Sequence, residues 1–544
     1  MAKVHSIQEA VTAIRGGRLE EAAGILGEIL AGQPGNEKAR WLMIQCLERL
    51  QAVDQVQAHL RELLKHTSRN LAKVTQIALF TRQRGYSLDD VIEAFGKFLE
   101  RTPGSAVAAY NHAYYLDKDG QYEKALEQYQ KALDLGITAP EEVHLNVANL
   151  QMDALQNNDE AKRHLEAAIA INPEYAQAHF NLGNLAERLG DREGARRCFE
   201  KCLEIDPQND YALARLADAH KFIEADDPLL ARLAERAPES KSVDLEFSTG
   251  RAWEQVGEYD KAWPRFTRAN DLDRATRPEY KQSRSESLVR RIAGRCDAEW
   301  LSQFGGESHS PVFICGIFRS GSTLLEQILG AHPAFTAGGE SEFFPRLIAR
   351  NFRFFPEGLD RLNPAAIEAW RAEHAALCER RTGGQSRLTD KRPDNFLHVG
   401  LIRAILPGAK FVVTERDWRD VAVSVYSTRL GPGQGYSSRL QDIRHYLGLH
   451  RDLIDHWERL LGDDLIRVSY EALVSDPRAT VEKVLGQLGE AWDDACLDFH
   501  AQDMSVSTAS VWQVREPINP RSVGRWANYR RYFAEAFGED LEAA

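Results

Sequence analysis

Long apolar segments are missing from this 544-residue chain, and so is an excess of basic residues. No run of about 20 apolar residues occurs, so we predict no membrane span. The first residues lack the apolar core of a secretory signal, and the seven cysteines are odd in number and scattered. Both features suit a reducing compartment, so we expect a cytoplasmic protein. The net charge of −13 argues against general nucleic-acid binding, and any anion site must be a local basic pocket.

Clusters of metal ligands are also scarce in the sequence. Cys198 and Cys202 lie four residues apart on one face of a predicted helix, but no second pair of ligands accompanies them. Acidic residues form no group that demands a metal either. We therefore predict that these cysteines are core thiols and that the protein holds no metal.

The first half of the chain repeats itself. Asn111, Asn146 and Asn181 recur every 35 residues, and Pro173 and Pro207 are 34 residues apart. Small residues at fixed offsets allow paired helices to approach closely, and proline stops the second helix of each pair. A period near 34 residues with helix–turn–helix content is typical of tetratricopeptide repeats. The pattern therefore predicts an N-terminal α-solenoid.

The repeats are clearest from about 106 to 207, with a further unit at 244–274 and a degenerate one at 5–70. We predict a repeat domain over residues 1–275 and a connecting helix and loop over 276–310. Each unit of a solenoid stacks on its neighbours and leaves a concave surface. That surface suits a bound peptide or partner protein, whereas a rigid spacer or a platform for a homodimer fits the pattern equally well.

A predicted strand, a glycine turn and a helix follow in that order. The apolar run from Val312 to Ile314 predicts a buried strand. The spacing Gly316-x4-Gly321 matches the first part of a P-loop, in which backbone N–H groups and a helix N-terminus face an anion. The lysine of that pattern is missing, because Ser322 stands in its place. This absence counts against an ATPase, a GTPase or a nucleoside kinase.

The residues of this turn carry a family resemblance. Arg319, Ser320, Gly321, Ser322 and Thr323 follow the strand, and a His-Pro pair comes one helix later. This arrangement resembles the 5′-phosphosulfate loop of sulfotransferases, above all of the tyrosylprotein sulfotransferases and their bacterial relatives with tetratricopeptide repeats. The resemblance implies a P-loop-like α/β domain with a parallel sheet over 311–544. It also implies that these five residues bind the 5′ side of 3′-phosphoadenosine 5′-phosphosulfate, without a metal.

Two charged residues match the catalytic positions of that family. Glu340 follows a Gly-Gly pair and stands where the family has its base, with Glu342 as the alternative. A carboxylate within hydrogen-bond reach can remove the proton of an attacking hydroxyl. Lys391 matches the family's lysine, which offsets negative charge on the bridging oxygen.

A second motif lies about a hundred residues after the glycine turn. Arg416 stands at the end of a predicted buried strand, where α/β sheets place ligands, and Ser424 follows on the next helix. The pair resembles the family's 3′-phosphate site, for which arginine offers a bidentate fork. The resemblance further places Tyr470 and Arg525 near the nucleotide. Either Thr508 or Ser510 corresponds to a hydroxyl at the transition state.

Taken together, these residues predict transfer of a sulfuryl group from 3′-phosphoadenosine 5′-phosphosulfate to a hydroxyl acceptor. Protein tyrosine, a saccharide and a small molecule all stay open as acceptors. Two alternatives also stay open: a catalytically silent nucleotide-binding adaptor whose repeats bind partners, and a nucleoside kinase-like P-loop enzyme. We expect no nucleic acid as a partner and no membrane span.

Overall fold

The computed structural model describes residues 6–352, 354–431, 433–499 and 517–538. The chain forms two compact units, Met1–Leu185 and Ala186–Ala544. Their boundary lies within a helix of the predicted repeats, so the last predicted repeats belong to the second unit. The predicted domain bounds at 275 and 310 stay predictions.

The first unit is helical throughout its described residues, and consecutive helices pack in pairs. Fully buried alanines at equivalent places, such as Ala22, Ala125 and Ala161, let the two helices of a pair approach closely. The predicted tetratricopeptide solenoid is thereby confirmed. Its helices are α1 (Ile7–Arg15), α2 (Leu19–Gly32), α3 (Glu37–Arg49), α4 (Val53–Thr67), α5 (Leu71–Gln83), α6 (Asp89–Arg101), α7 (Ala106–Asp119), α8 (Tyr122–Asp134), α9 (Pro140–Asp153), α10 (Asn158–Ile171) and the start of α11 (Ala176–Leu189).

The recurring asparagines connect each repeat to the one before it. Asn111 Nδ2 donates to Thr75 Oγ1 at 3.2 Å, and Asn146 Nδ2 donates to Tyr110 Oη at 2.8 Å. Asn181 Nδ2 likewise donates to the preceding repeat, to Asn149 Oδ1 of α9 at 2.7 Å. The amides are half-buried or buried, so each needs a partner, and the partner comes from the preceding repeat. The period in the sequence therefore reflects a ladder of hydrogen bonds along the solenoid.

The second unit combines further helices with one sheet. Its strands are β1 (Val312–Gly316), β2 (Phe335–Ala337), β3 (Arg387–Lys391), β4 (Lys410–Glu415) and β5 (Leu465–Ser469). Its helices are α12 (Arg192–Ile205), α13 (Asp210–Ala219), α14 (Pro228–Arg236), α15 (Val243–Gln255), α16 (Tyr259–Arg274), α17 (Gln282–Arg295), α18 (Ala298–Ser302), α19 (Ser322–Gly330), α20 (Phe343–Asn351), α21 (Pro364–Thr382), α22 (Val399–Ile405), α23 (Trp418–Tyr426), α24 (Leu440–Leu461), α25 (Tyr470–Ser475), α26 (Pro477–Leu488) and α27 (Arg530–Phe537).

The five strands are all parallel and lie in the order β2-β3-β1-β4-β5. β1 is the central strand, and every one of its residues is buried, as its apolar sequence predicts. After β1 the chain forms β2 and β3 on one side of this strand and then β4 and β5 on the other side. Ligands of α/β sheets bind at the carboxyl ends of the strands next to such a reversal. The predicted parallel α/β domain is confirmed. We call the carboxyl ends of β1 and β4, where this rule places a ligand, the ligand edge of the sheet.

The hairpin of α15 and α16 packs against the sheet domain. Trp263 of α16 stacks on Tyr426 and on Tyr532, with a ring-centroid distance of 4.7 Å in each pair. Asn270 Nδ2 donates to the backbone oxygen of Tyr426 at 2.8 Å. These aromatic rings share one buried cluster with α23 and α27. The predicted unit at 244–274 is therefore part of the core around the ligand edge of the sheet.

Within the described residues, none of the helices is both long and apolar enough to cross a bilayer.

Candidate active site

The turn after β1 has an unusual backbone that its sequence explains. Gly316, Arg319 and Gly321 have positive φ angles of 149°, 74° and 102°. A Cβ on Gly316 would lie 2.8 Å from the Thr414 backbone oxygen, and one on Gly321 would lie 2.5 Å from the Tyr470 ring. Glycine is thus required at both positions. Arg319 holds a left-handed conformation that costs a non-glycine residue about 1–3 kcal/mol, and such strain concentrates at functional sites.

The close approach at Gly321 leads to a prediction. We expect Gly321→Ala to destabilise the second unit by about 1–3 kcal/mol, because a methyl group would press on the Tyr470 ring at a positive φ. Urea unfolding followed by tryptophan fluorescence measures the shift. The matched control is Gly486→Ala in α26, where no atom lies within 4 Å of the added Cβ. An unshifted midpoint for Gly321→Ala would contradict the contact with Tyr470.

Hydroxyl groups of the turn differ in what they contact. Ser320 is fully buried, and its Oγ donates to the Ile317 backbone oxygen and contacts Thr414 Oγ1, both at 2.7 Å. Ser320 therefore connects the turn to β4 through its side chain. Ser322 and Thr323 are the first two residues of α19. Backbone N–H groups at the start of a helix have no intrahelical acceptor, which leaves them available to an anion.

The structure brings the predicted 5′ turn and the predicted 3′-phosphate residues together. Arg319 Nε donates to Ser424 Oγ at 3.0 Å. Arg416 Nη1 donates to the Arg319 backbone oxygen at 3.3 Å, and Arg416 also donates to the Ser522 backbone oxygen. The Arg416 guanidinium lies over the Tyr470 ring, 4.5 Å from its centroid. The backbone of Arg319 thus belongs to the turn, whereas its side chain reaches the residues that we expected to hold the 3′-phosphate.

Positive charge is concentrated at this edge of the sheet. Burial, together with the neighbouring Arg525, Arg416 and Arg251, lowers the pKa of Arg319 to about 10. Burial also lowers the pKa of Arg416 below its usual value. Two of these guanidinium groups, those of Arg525 and Arg251, pair with the carboxylates of Glu254 and Asp218. The four arginines are the candidate for the local basic site that the acidic composition of the chain requires for an anion.

Arg525 contacts a residue that the sequence analysis assigned only to the repeats. Its Nε and Nη2 each donate to a carboxylate oxygen of Glu254 in α15 at 2.6 Å, and Nη2 donates to Ser427 Oγ at 3.0 Å. Tyr529 Oη donates to the same carboxylate at 2.9 Å. Glu254 therefore orients Arg525, and most of the donors of Arg525 are used by protein groups.

Arg251 is the second residue of α15 that the sequence analysis missed. It donates to both carboxylate oxygens of Asp218, at 2.7 and 2.8 Å, and to the Ser427 backbone oxygen at 3.3 Å. Arg251 precedes Arg319 by 68 residues and lies in the helix α15, whereas Arg319 lies in the turn after β1. No local motif signals the contribution of α15, because only folding brings it to the site.

Lys391 and Glu340 form an ion pair beside the turn. Lys391 ends β3, in register with Ile314 of β1, and its Nζ donates to Glu340 Oε1 at 2.6 Å. The lysine side chain is 1% exposed, whereas the glutamate is 39% exposed. Glu342 contacts Arg392 instead, at 2.6 Å, and is 54% exposed. The two candidate bases therefore have different partners, and Glu340 is the one that contacts Lys391.

Two buried acids lie behind this ion pair. Glu326 of α19 accepts hydrogen bonds from the Gly339 backbone N–H at 2.9 Å and from Thr389 Oγ1 at 3.2 Å. Burial raises the pKa of Glu326 to about 7, and burial with the nearby Glu326 raises the pKa of Asp390 to about 8. Glu326 thus holds the backbone just before Glu340. No sequence signal marked Glu326, because it lies off the apolar face of its helix, where a solvent-exposed glutamate is the ordinary expectation.

The remaining predicted residues, Thr508 and Ser510, lie outside the residues that the structure describes. The roles of the other site residues stay predictions, although the structure groups them at one edge of the sheet.

Comparison with known proteins identifies both parts of the chain. Residues 311–494 match the sulfotransferase family. Matches to tetratricopeptide repeats cover residues 13–74, 106–135, 154–190 and 176–209.

Two relatives each match part of the chain. An uncharacterized protein of Aquifex aeolicus is 26% identical over 397 residues, which cover 69% of this chain and 52% of that protein. Protein-tyrosine sulfotransferase 1 of Danio rerio is 27% identical over 240 residues, which cover 40% of this chain and 65% of that protein. The chain therefore spans about half of the first relative and just under two thirds of the second.

Solved structures resemble parts of the chain. The sulfotransferase domain of the Synechococcus PCC 7002 olefin synthase is 24% identical, with a TM-score of 0.33, and covers 41% of this chain and 89% of that domain. The tetratricopeptide protein YrrB is 22% identical, with a TM-score of 0.27, and covers 33% of this chain and 93% of its own. From the sequence matches, the chain carries a sulfotransferase-family domain over residues 311–494, preceded by tetratricopeptide repeats.

Proposed function

We propose that the second unit transfers a sulfuryl group from 3′-phosphoadenosine 5′-phosphosulfate to a hydroxyl acceptor. The observation that carries this proposal is the meeting of Arg319, Arg416 and Ser424 at the end of β1 and β4. A glycine turn at a helix N-terminus suits one phosphate, and an arginine–serine pair suits another. Sulfotransferase-family membership of the domain supports this donor over a nucleoside triphosphate.

Lys391 and Glu340 have separate roles in this reaction. Glu340 takes the proton of the acceptor hydroxyl while the oxygen forms a bond to sulfur. The bond between sulfur and the bridging phosphate oxygen breaks, and its electron pair stays on that oxygen. Lys391 offsets the charge that develops there, and its burial makes the electrostatic effect strong. The products are a sulfated acceptor and 3′,5′-phosphoadenosine.

Support for one class of acceptor comes from the relatives rather than from the site. Curated relatives include protein-tyrosine sulfotransferases of several animals. A tyrosine hydroxyl in a peptide is therefore the first acceptor to test, with the repeats as the surface that holds the peptide. Incubation with labelled donor and a library of tyrosine peptides, followed by mass spectrometry for the added sulfuryl group, tests this step. Donor binding without transfer to any hydroxyl would favour the silent adaptor.

Recognition of the 3′-phosphate leads to a second prediction. We expect the wild-type protein to bind 3′,5′-phosphoadenosine about 10- to 100-fold more tightly than adenosine 5′-monophosphate, because a hydrogen bond to a charged group contributes about 1.5–3 kcal/mol. Arg416→Gln should remove most of this difference while it weakens binding of the monophosphate much less. Isothermal titration calorimetry measures all four affinities.

A control variant separates this effect from a general loss of positive charge. Arg531→Gln removes an arginine that pairs with Asp260 on the surface, at 2.8 Å. This variant should keep the wild-type preference for the 3′-phosphate. Equal affinity of the wild-type protein for both nucleotides would contradict the proposed donor.

A further inference from the structure

A histidine–histidine–cysteine cluster lies apart from the proposed active site. His309 precedes β1, whereas His374 and Cys378 lie four residues apart on one face of α21. His309 Nε2 is 2.8 Å from His374 Nδ1, and Cys378 Sγ is 3.6 Å from the same nitrogen. The three ligand atoms all lie within 4.8 Å of one another. His374 is 1% exposed, and the other two residues are half-buried.

One nitrogen of this cluster has two polar neighbours. His374 Nδ1 carries either one proton or one in-plane lone pair, yet it is approached by both His309 Nε2 and Cys378 Sγ. If the nitrogen accepts, two donors compete for a single lone pair. If it donates, two acceptors share a single proton. A cation placed among the three atoms would accept an electron pair from each of them at once.

The three side chains offer the donor atoms that a metal ion uses, two imidazole nitrogens and one sulfur. A metal ion replaces the proton of the Cys378 thiol, which leaves to solvent as the metal–sulfur bond forms, and no electron is transferred.

We propose that His309, His374 and Cys378 bind one zinc-class transition-metal ion, with water in a fourth position. Two imidazoles and one thiolate are the ligands that zinc prefers, and zinc takes them in a tetrahedral arrangement. Calcium and magnesium prefer oxygen ligands, of which this cluster offers none. The sequence analysis predicted no metal, because His309 lies 65 residues before His374 and no ligand motif spans that distance.

An ion at this place connects elements that position the proposed active site. The His374 ring packs on Phe343 and Phe344, with centroids 4.9 and 5.8 Å away. These phenylalanines open α20, directly after Glu342. The ion would therefore join the segment ahead of β1 to α21, behind the loop that carries Glu340. This inference does not depend on the proposed sulfuryl transfer.

Cobalt titration of the full chain tests the site without any assay of activity. After chelator treatment and dialysis, we expect one equivalent of Co²⁺ to bind with a thiolate charge-transfer band and the intense visible bands of tetrahedral cobalt. Zinc should displace the cobalt and raise the melting temperature, since an ion that binds only the folded state stabilises it. Cys378→Ser should abolish the charge-transfer band, and His309→Gln should weaken binding at least tenfold.

Cys198→Ser provides the matched control, because it removes another half-buried thiol that has a cysteine four residues away. This variant should keep the cobalt bands and the zinc-dependent melting temperature. His309 lies in a loop, so its replacement leaves the helix α21 intact. Cobalt spectra without a charge-transfer band, or bands that persist in Cys378→Ser and vanish in Cys198→Ser, would overturn the proposal.

Discussion

We expect Glu340→Gln to lower kcat for sulfuryl transfer by about 10²- to 10⁴-fold, the usual contribution of a general base. Glutamine keeps the size and the hydrogen-bonding oxygen of the side chain, so the contact with Lys391 Nζ persists in a weaker form. It cannot accept the proton of the acceptor hydroxyl. Because Lys391 is buried and loses its charged partner, the replacement should also lower stability, and urea unfolding of the variant measures that loss separately from kcat. Donor affinity should change much less than kcat, because the base acts in the transition state.

Glu342→Gln is the matched control for this experiment. Glu342 is two residues away, pairs with Arg392 and is 54% exposed. A surface substitution of this kind changes free energies by about 0.5 kcal/mol or less, so kcat should stay within about twofold of the wild type. Single-turnover rates with saturating donor measure both variants. A large loss in Glu342→Gln with an active Glu340→Gln would transfer the role of base to Glu342.

The second large effect is expected at the buried lysine. Lys391→Met should lower kcat by about 10²- to 10³-fold, the loss seen when one preorganised donor to a developing charge is removed. Lys391 is 1% exposed, so its charge acts in a medium of low polarity, where electrostatic interactions are strong. Methionine fills a similar volume in the buried space. The Kd of 3′,5′-phosphoadenosine, measured by calorimetry, should change far less than kcat.

Lys410→Met controls for the loss of a lysine from the sheet. Lys410 begins β4, contacts Asp464 and lies at the amino end of a parallel strand. Lys391 is the last residue of β3, so the two lysines lie at opposite ends of the parallel strands. Lys410→Met should therefore leave kcat unchanged. The double variant Lys391→Met/Glu340→Gln should lose less than the product of the single effects, since groups that act as a unit are not additive.

Local features of the fold could be predicted from the sequence because they depend on neighbouring residues. The asparagine period of 35 residues reflects contacts between successive repeats, which recur at a fixed distance along the chain. The apolar run of β1 and the glycine spacing of its turn are likewise short-range patterns. They predicted the solenoid and the parallel α/β domain, and both are confirmed.

Other features depend on where side chains point, which a pattern does not contain. Glu340 and Glu342 look alike in the sequence, and the fold alone gives one of them Lys391 and the other Arg392 as a partner. The guanidinium of Arg319 likewise reaches Ser424, which lies 105 residues further along the chain. Arg319 also has a positive φ angle, which the spacing of the motif does not predict.

The sequence by itself determined the helical-repeat architecture, the parallel α/β architecture and the glycine turn, because each arises from residues that are near one another in the chain. Only the tertiary structure decided that α15 contributes to the arginine cluster, through Glu254 and Arg251. Glu254 and Arg525 are separated by 271 residues, and their ion pair forms only after the helices and the sheet have packed. Contacts at that distance depend on the packing of whole elements, which periodicity and motif spacing do not specify.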